Sequence, residues 1–487
     1  MQSDNQNRPG RHPRIRRIYG CDENGDSLCS GRDFTPPNYL LRAFLYENNG
    51  DGTFTKITNT GVVPVENGKI GWIDYDKDGY MDLIVYGFSS SGRITKIYHN
   101  NSGNGTFTDI NAGLPGVCQG DFSWADYDSD GYPDFIMTGQ ASDNSGITKL
   151  YHNNGSGGFN EVSCAILNFS SSSLSWVDFN NDGRPDIFIE GYSGGWKTKL
   201  YRNDGLNSNG EPQFIPVETN IQPLGDGRNA WGDYDNDGDL DLVFSGGGVG
   251  GYPVANDVYR NDGVGTQSNS WVFTKLNANL IPSHIGATND AWSVGWGDYD
   301  NDGDLDILMT GLAGFNSKYS VVYRNDGPVG PGNQWVFTDI NAGLQPISWG
   351  NTVWGDYDND GDLDIAMSGT KSSSGCGSTI AVAKLYRNNL GSNVPVLNTI
   401  PDAPLAATLD AVVSGSNVTL SWGNGSDYQT PVNGLYYNIV VGTTANPLSV
   451  ISPMAEVPGG YRHTPTIGTQ NQNLSWEVKN LPAGTYD

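Results

Sequence analysis

Positive charge is scarce in this chain of 487 residues: 27 lysines and arginines stand against 54 aspartates and glutamates, for a net charge of −27 at pH 7. A surface of that sign argues against nucleic acid or an anionic membrane as partner. Histidine is thin too. His12, His284 and His463 lie in unrelated segments, while His99 and His152 stand in a slot that Arg202, Arg260, Arg324 and Arg387 fill in other copies of a repeat. No Ser/His/Asp set and no histidine-rich metal cluster emerges, so the chain is not read as an enzyme. The five cysteines (Cys21, Cys29, Cys118, Cys164 and Cys376) lack the pair-of-pairs spacing of a zinc site. Cys21 and Cys29 suit a local disulfide, and the odd count leaves at least one thiol over. No run of 18 or more apolar residues occurs, so no membrane insertion is expected. The first twenty residues carry Arg8, Arg11, Arg14, Arg16 and Arg17 without an apolar segment, and 1–13 reads as disordered or as a leader remnant.

Glycine, by contrast, is abundant at 66 residues, and aromatics make up 11%. Much of that glycine belongs to one acidic loop written six times. The copies begin at Asp74 (DYDKDGYMD), Asp126 (DYDSDGYPD), Asp178 (DFNNDGRPD), Asp233, Asp298 and Asp356 (DYDNDGDLD in the last three), with starts 52, 52, 55, 65 and 58 residues apart. Two residues before each stands a tryptophan: Trp72, Trp124, Trp176, Trp231, Trp296 and Trp354. A short apolar run ending in Gly follows, then a polar loop, then Tyr-x-Asn at Tyr98, Tyr151, Tyr201, Tyr259, Tyr323 and Tyr386. Apolar runs this short, β-branched and punctuated by Gly, read as strands. About four strands per repeat make one small sheet that must stack on its neighbours, the pattern of propeller blades. A seventh Tyr-x-Asn at Tyr46 has no matching loop before it. Residues 14–60 are therefore read as a degenerate first blade and 61–398 as six regular ones. Seven blades are expected, with six and a closing segment as the alternative.

In D-x-D-x-D-G-x-x-D the carboxylates at positions 1, 3 and 5 converge on one point. Gly at 6 permits the turn, position 7 offers its backbone carbonyl, and Asp at 9 completes the shell, a set of hard oxygens suited to calcium. Without a cation such carboxylates repel one another. The expected ligands are Asp74, Asp76, Asp78, Tyr80 and Asp82 in loop 1, and Asp126, Asp128, Asp130, Tyr132 and Asp134 in loop 2. Loop 3 supplies Asp178, Asn180, Asp182, Arg184 and Asp186, and loop 4 Asp233, Asp235, Asp237, Asp239 and Asp241. Loop 5 has Asp298, Asp300, Asp302, Asp304 and Asp306, and loop 6 Asp356, Asp358, Asp360, Asp362 and Asp364. Six structural calcium ions are expected, loop 3 being the weakest because Asn180 drops a charge. The six windows hold 26 of the 54 acidic residues, so six Ca²⁺ would bring −27 to −15.

The pattern W-x-D-x-D-x-D-G-x-x-D, apolar run, G, Y-x-N and F resembles the VCBS/FG-GAP repeat family, which is related to the calcium-bearing blades of the integrin α-subunit. That resemblance implies a calcium-loaded propeller, exported or displayed on a cell surface. It names no ligand. Calcium sites of the extracellular type, with dissociation constants near ~10⁻⁴–10⁻³ M, also point outside the cell.

Residues 399–487 differ in kind. Trp422 and the run Leu481-Pro482-Ala483-Gly484-Thr485-Tyr486 resemble a second strand and the tyrosine corner of a fibronectin type III domain. The chain stops at Asp487, two strands short, so the sandwich is expected to be a fragment or to receive strands from another segment. The expected function is non-catalytic adhesion or binding of a glycan or an extracellular protein. Alternatives are a non-catalytic region of a polysaccharide lyase or hydrolase and a structural subunit of an extracellular assembly. Candidate ligand contacts are the aromatics Phe88, Tyr192, Trp196, Tyr252, Phe315 and Tyr319, which precede the Tyr-x-Asn strands; Trp271 and Trp335 recur in register and read as structural.

Overall fold

The computed structural model describes residues 31–33, 40–43, 45–49 and 53–486, apart from 248–254, 282–290, 314–316, 331–333, 359, 372–380, 391–400, 428–429, 444–445, 453, 455–472 and 482–483. The expectations about residues 1–13, Cys21, Cys29, Tyr252 and Phe315 lie outside the described residues, as does Cys376.

Among the described residues the regular elements are strands, with two single-turn 3₁₀ helices. The protein is an all-β propeller, and each acidic loop joins the first two strands of one blade, numbered here by its loop. Blade 1 is an antiparallel sheet of Glu66–Ile73, Asp82–Ser89, Gly92–Asn100 and Phe107–Asp109 in sequential order. Blades 2 to 5 repeat the plan, and blade 6 has three described strands, Ser348–Gly355, Asp364–Thr370 and Ala381–Tyr386. The second strand is buried on both faces: in blade 4, Asp241–Gly247 (DLVFSGG) is buried throughout. That explains an apolar run rather than an alternating one. It also begins at the ninth loop position, Asp241, one residue earlier than the apolar run suggests. The outer strands of blades 3 and 4, Pro212–Thr219 and Ser270–Lys275, pair in parallel through Glu218↔Ser270 and Thr219↔Trp271.

Neighbouring blades are joined by the repeated residues. The loop tryptophans are buried or half-buried between blades, and three of them donate their indole N–H back to the preceding inner strand: Trp176 to the Ser123 carbonyl at 3.1 Å, Trp296 to that of Ala230 at 3.2 Å and Trp354 to that of Gly295 at 3.4 Å. Polar side chains on the inner strands continue the ring, with Lys69 paired to Asp121 at 2.5 Å, Asn229 donating to Ser173 at 3.0 Å and Ser293 to Asn351 at 2.7 Å. Trp271 and Trp335 pack edge-on against Phe179 and Tyr234 of the preceding blades, centroids 4.9 and 5.0 Å apart, in keeping with a structural role.

The asparagine of Tyr-x-Asn ties each blade to the one before. Asn153, Asn203, Asn261, Asn325 and Asn388 each donate Nδ2 to the carbonyl at loop position 2 of the preceding blade, at 2.6–3.1 Å. Upstream of blade 1, a hairpin of Leu45–Asn48 and Phe54–Ile57 carries the extra Tyr-x-Asn. Its Asn48 donates to the carbonyl of Tyr357, position 2 of loop 6, at 2.5 Å, and its Phe54 ring lies 6.1 Å from that of Tyr357.

Beyond the propeller, Asp410–Ser414, Asn417–Ser421 and Ser475–Val478 form one sheet, and Val441–Thr443 pairs with Asn446–Ile451. Trp422, Leu435, Tyr437, Trp476 and Val478 form their shared core. This module rests on the acidic loops. The Lys479 N–H donates to the Asn181 carbonyl at 2.7 Å, Asn433 to that of Asp302 at 3.2 Å, and Asn473 to the Asp233 carboxylate at 2.8 Å.

Candidate metal centres

The local sequence dictates how each loop curls. Position 4 takes a left-handed conformation in Lys77, Ser129, Asn181, Asn236 and Asn301 (φ 57–62°), and the glycine at position 6 does so in every loop (φ 84–101°). Asparagine tolerates such a φ better than most residues, which accounts for its recurrence. The first carboxylate then receives two backbone N–H groups, from positions 5 and 6; in loop 4 Asp233 accepts from Asp237 at 3.1 Å and Gly238 at 2.8 Å. The carboxylate at 5 accepts from the N–H at 7, as Asp237 does from Asp239 at 3.0 Å. The last one is anchored to the next strand, Asp241 accepting from Asn261 N–H at 2.7 Å and Tyr234 N–H at 3.3 Å.

The carboxylates that lie together are those at positions 1, 3 and 9, rather than the expected 1, 3 and 5. Asp74, Asp76 and Asp82, then Asp126, Asp128 and Asp134, then Asp233, Asp235 and Asp241 bring one oxygen each within 4.8 Å of the others. The fifth-position aspartates are half-exposed or exposed in loops 1, 2, 4 and 5 but buried in loop 3 and nearly so in loop 6. In loops 4 and 5 the side chain at position 7 meets a partner outside its own loop: Asp239 meets Lys479 at 3.1 Å, and Asp304 accepts from Asn236 at 2.9 Å. Position 4 also links adjacent loops, Asn181 donating to the Gly238 carbonyl at 2.9 Å and Lys77 to that of Gly131 at 3.0 Å. Two histidines face this chemistry. His99 Nδ1 lies 3.1 Å from Asp76, and His152 Nδ1 3.3 Å from Asp128. Sequence reading placed them in the arginine slot without seeing what that slot faces.

The donor set fits a cation. Buried oxygens of the position-3 carboxylate in four loops, Oδ1 of Asp128, Asp235, Asp300 and Asp358, have no hydrogen-bond partner, and neither does Oδ2 of the fully buried Asp186. Buried acceptors are rarely left this way, and a divalent ion would supply the missing partner. Burial, followed by neighbouring carboxylates, pushes the acids far up. Asp82 and Asp306 rise to about 9, Asp364 to about 8 and Asp235 to about 7, while Asp241 goes well above its ordinary value.

These directions fix a pH dependence. An acid whose folded pKa is raised binds its proton more tightly when folded, so its contribution is full below about pH 4 and is lost as pH rises through the folded value. Metal-stripped protein should therefore melt higher at pH 5 than at pH 8 by calorimetry. Equal melting points would show that the acids are not held in these buried positions.

The aromatic candidates separate. Tyr192 is 49% exposed and packs edge-on against Trp196 with centroids 5.7 Å apart, at the hairpin opposite the strand end that carries loop 3. Phe88 is half-buried under the Arg93 guanidinium, 5.0 Å from its ring. Tyr319 corrects the expectation: it is only 6% exposed and belongs to the core between blades 4 and 5, so its ring offers no platform.

A profile of the FG-GAP-like repeat matches the chain at residues 38–85, 74–137, 126–189, 178–244 and 233–309. No curated protein matches. Among solved structures, the fucose-recognising six-bladed lectin of Aleuria aurantia is 14% identical with a TM-score of 0.35, covering 62% of this chain and 88% of its own. A mutant of that lectin with alpha-methyl-L-fucoside reaches 14% and 0.36, covering 68% and 98%. A triple mutant of AofleA from Arthrobotrys oligospora reaches 12% and 0.34, covering 62% and 83%. Scores this low carry nothing about ligand or blade count. The repeat profile is different in weight, since its matches run without interruption over more than half the chain and register with the same loops that the geometry singles out. By that measure this chain belongs to the FG-GAP-like repeat family.

Proposed function

We propose that the protein is an extracellular or surface-displayed propeller whose acidic loops hold calcium and whose opposite face binds glycan without catalysis. The observation that carries the metal reading is the set of partnerless buried carboxylate oxygens at equivalent loop positions. The aspartates at positions 1, 3, 5 and 9 would hold the ion, with Asn180 replacing one of them in loop 3. Bound calcium neutralises the clustered charge. The chain itself supplies the preformed shell, with its backbone N–H groups fixing the first, fifth and ninth carboxylates. Loop 3 is the poorest candidate, because Asn180 is neutral and Arg184 already pairs with Asp182 at 2.5 Å.

Seven blades is the favoured count, supported by Asn48 and Phe54, which meet loop 6 through the same pair of contacts that links consecutive blades. The C-terminal module is read as part of a fibronectin type III-like sandwich, supported by its two small sheets around Trp422 and Trp476.

The binding face follows from what is covered. Residues 433, 473 and 479 of the C-terminal module lie against the acidic loops, so a ligand has the opposite hairpins to approach. There Tyr192 and Trp196 present two aromatic faces of the kind sugars stack on. Trp196→Ala and Tyr192→Ala should each cut binding on a glycan array by about threefold to tenfold, given the ~0.5–1.5 kcal/mol of a lost aromatic contact. Unchanged binding in both variants would remove this hairpin from the ligand site.

A further inference from the structure

The arginine slot on the third strand divides the blades. In blades 3, 4 and 5 the sequence reads Tyr-Arg-Asn-Asp, and the aspartate two residues on shares the arginine's side of the strand. It captures the guanidinium. Arg202 Nε lies 2.6 Å from Asp204, Arg260 Nη2 2.7 Å from Asp262, and Arg324 Nη2 2.6 Å from Asp326. Blade 6 reads Tyr-Arg-Asn-Asn, and without that aspartate Arg387 turns onto the loop. Its Nε lies 2.7 Å from Asp358 and its Nη2 2.7 Å from Asp360, the third and fifth carboxylates, which are only 8% and 10% exposed.

We infer that Asp204, Asp262 and Asp326 are latches that hold an arginine off the metal site, and that loop 6, lacking one, is closed by its own guanidinium. A cation needing Asp358 and Asp360 must first displace the guanidinium from both carboxylates, including the Nη2 hydrogen bond to Asp360, and the fixed positive charge remains beside it. Loop 6 then joins loop 3 as a weak site, while loops 4 and 5, whose arginines are latched, and loops 1 and 2, whose slot holds a histidine and so no fixed guanidinium, are the tight ones. The comparison is informative because loops 4, 5 and 6 are identical over nine residues, so the difference in the arginine's position arises outside the loop, and the residue two after the arginine is one that changes.

This inference rests on the calcium reading, and the experiment separates the two. Calcium chloride is titrated into metal-stripped full-length protein by calorimetry, with thermal melting as the check on folding. Wild type should show four tight and two weaker sites. Asn389→Asp, which supplies the missing latch, should move one site from the weak class to the tight one with about a tenfold or larger gain in affinity. Arg387→Ala should do the same without any latch, and Asp262→Asn should move one site of blade 4 the other way. If wild type binds calcium but Asn389→Asp and Arg387→Ala leave the weak class unchanged, the latch is wrong and the calcium reading survives. If wild type binds no calcium at all, both fall.

Discussion

Asp241→Ala is expected to destabilise the metal-free protein by about 3 kcal/mol or more, whereas Asp235→Ala in the same loop should leave it unchanged or slightly more stable. Both residues are candidate ligands, yet the fold uses them differently. Asp241 is fully buried and accepts the N–H groups of Asn261 and Tyr234, so alanine there strands two buried donors at the junction of the loop with the second and third strands. Asp235 has a buried oxygen with no partner, and its acidity is weakened by burial and then by Asp237 and Asp233. Removing it relieves repulsion that only a cation would otherwise relieve. With calcium present the comparison changes, because Asp235→Ala should then forfeit up to about 2.7 kcal/mol, the contribution of one site at a hundredfold excess over its dissociation constant. Denaturant unfolding of both variants with and without calcium reads the four values. Equal losses in the metal-free state would mean that the ninth position has no structural duty of its own.

Calcium itself should raise the melting temperature by about 15 °C. Four tight sites at a hundredfold excess contribute about 11 kcal/mol, and roughly 340 residues of propeller unfold with an entropy near 0.7 kcal/mol/K. The size of the effect comes from repetition, since each loop lies at a blade junction and one ion per junction would fasten the ring. Scanning calorimetry in calcium and in chelator measures it. A shift below about 2 °C would leave the loops as hydrogen-bonded turns with no ion to hold.

The repeated loop, its flanking tryptophan and the strand that follows were legible because each is a local pattern with a local cause. Gly238 turns the chain, and the run Leu242–Phe244 is apolar because both faces of that strand are covered. What escaped depends on partners far along the chain. Asn261 looked like a strand-end residue, but it reaches the Phe179 carbonyl 82 residues earlier, and Asn181 meets Gly238 and Asp239 of the next loop. Tyr319 read as a surface aromatic because it follows a polar loop, yet its ring lies between blades, where only the packing of blade 4 on blade 5 could place it. The contact of Lys479 with Asp239 spans 240 residues and has no counterpart in any periodicity. The difference between Arg260 and Arg387 was written in the sequence as Asp262 against Asn389. Its meaning required knowing that the slot faces the acidic loop.

The most direct test of the acidic loops as metal sites is equilibrium dialysis of metal-stripped protein against radioactive calcium up to millimolar concentration. Binding that approaches six ions per chain, four of them filling first, is the predicted result. Fewer than one ion per chain at millimolar calcium would contradict it.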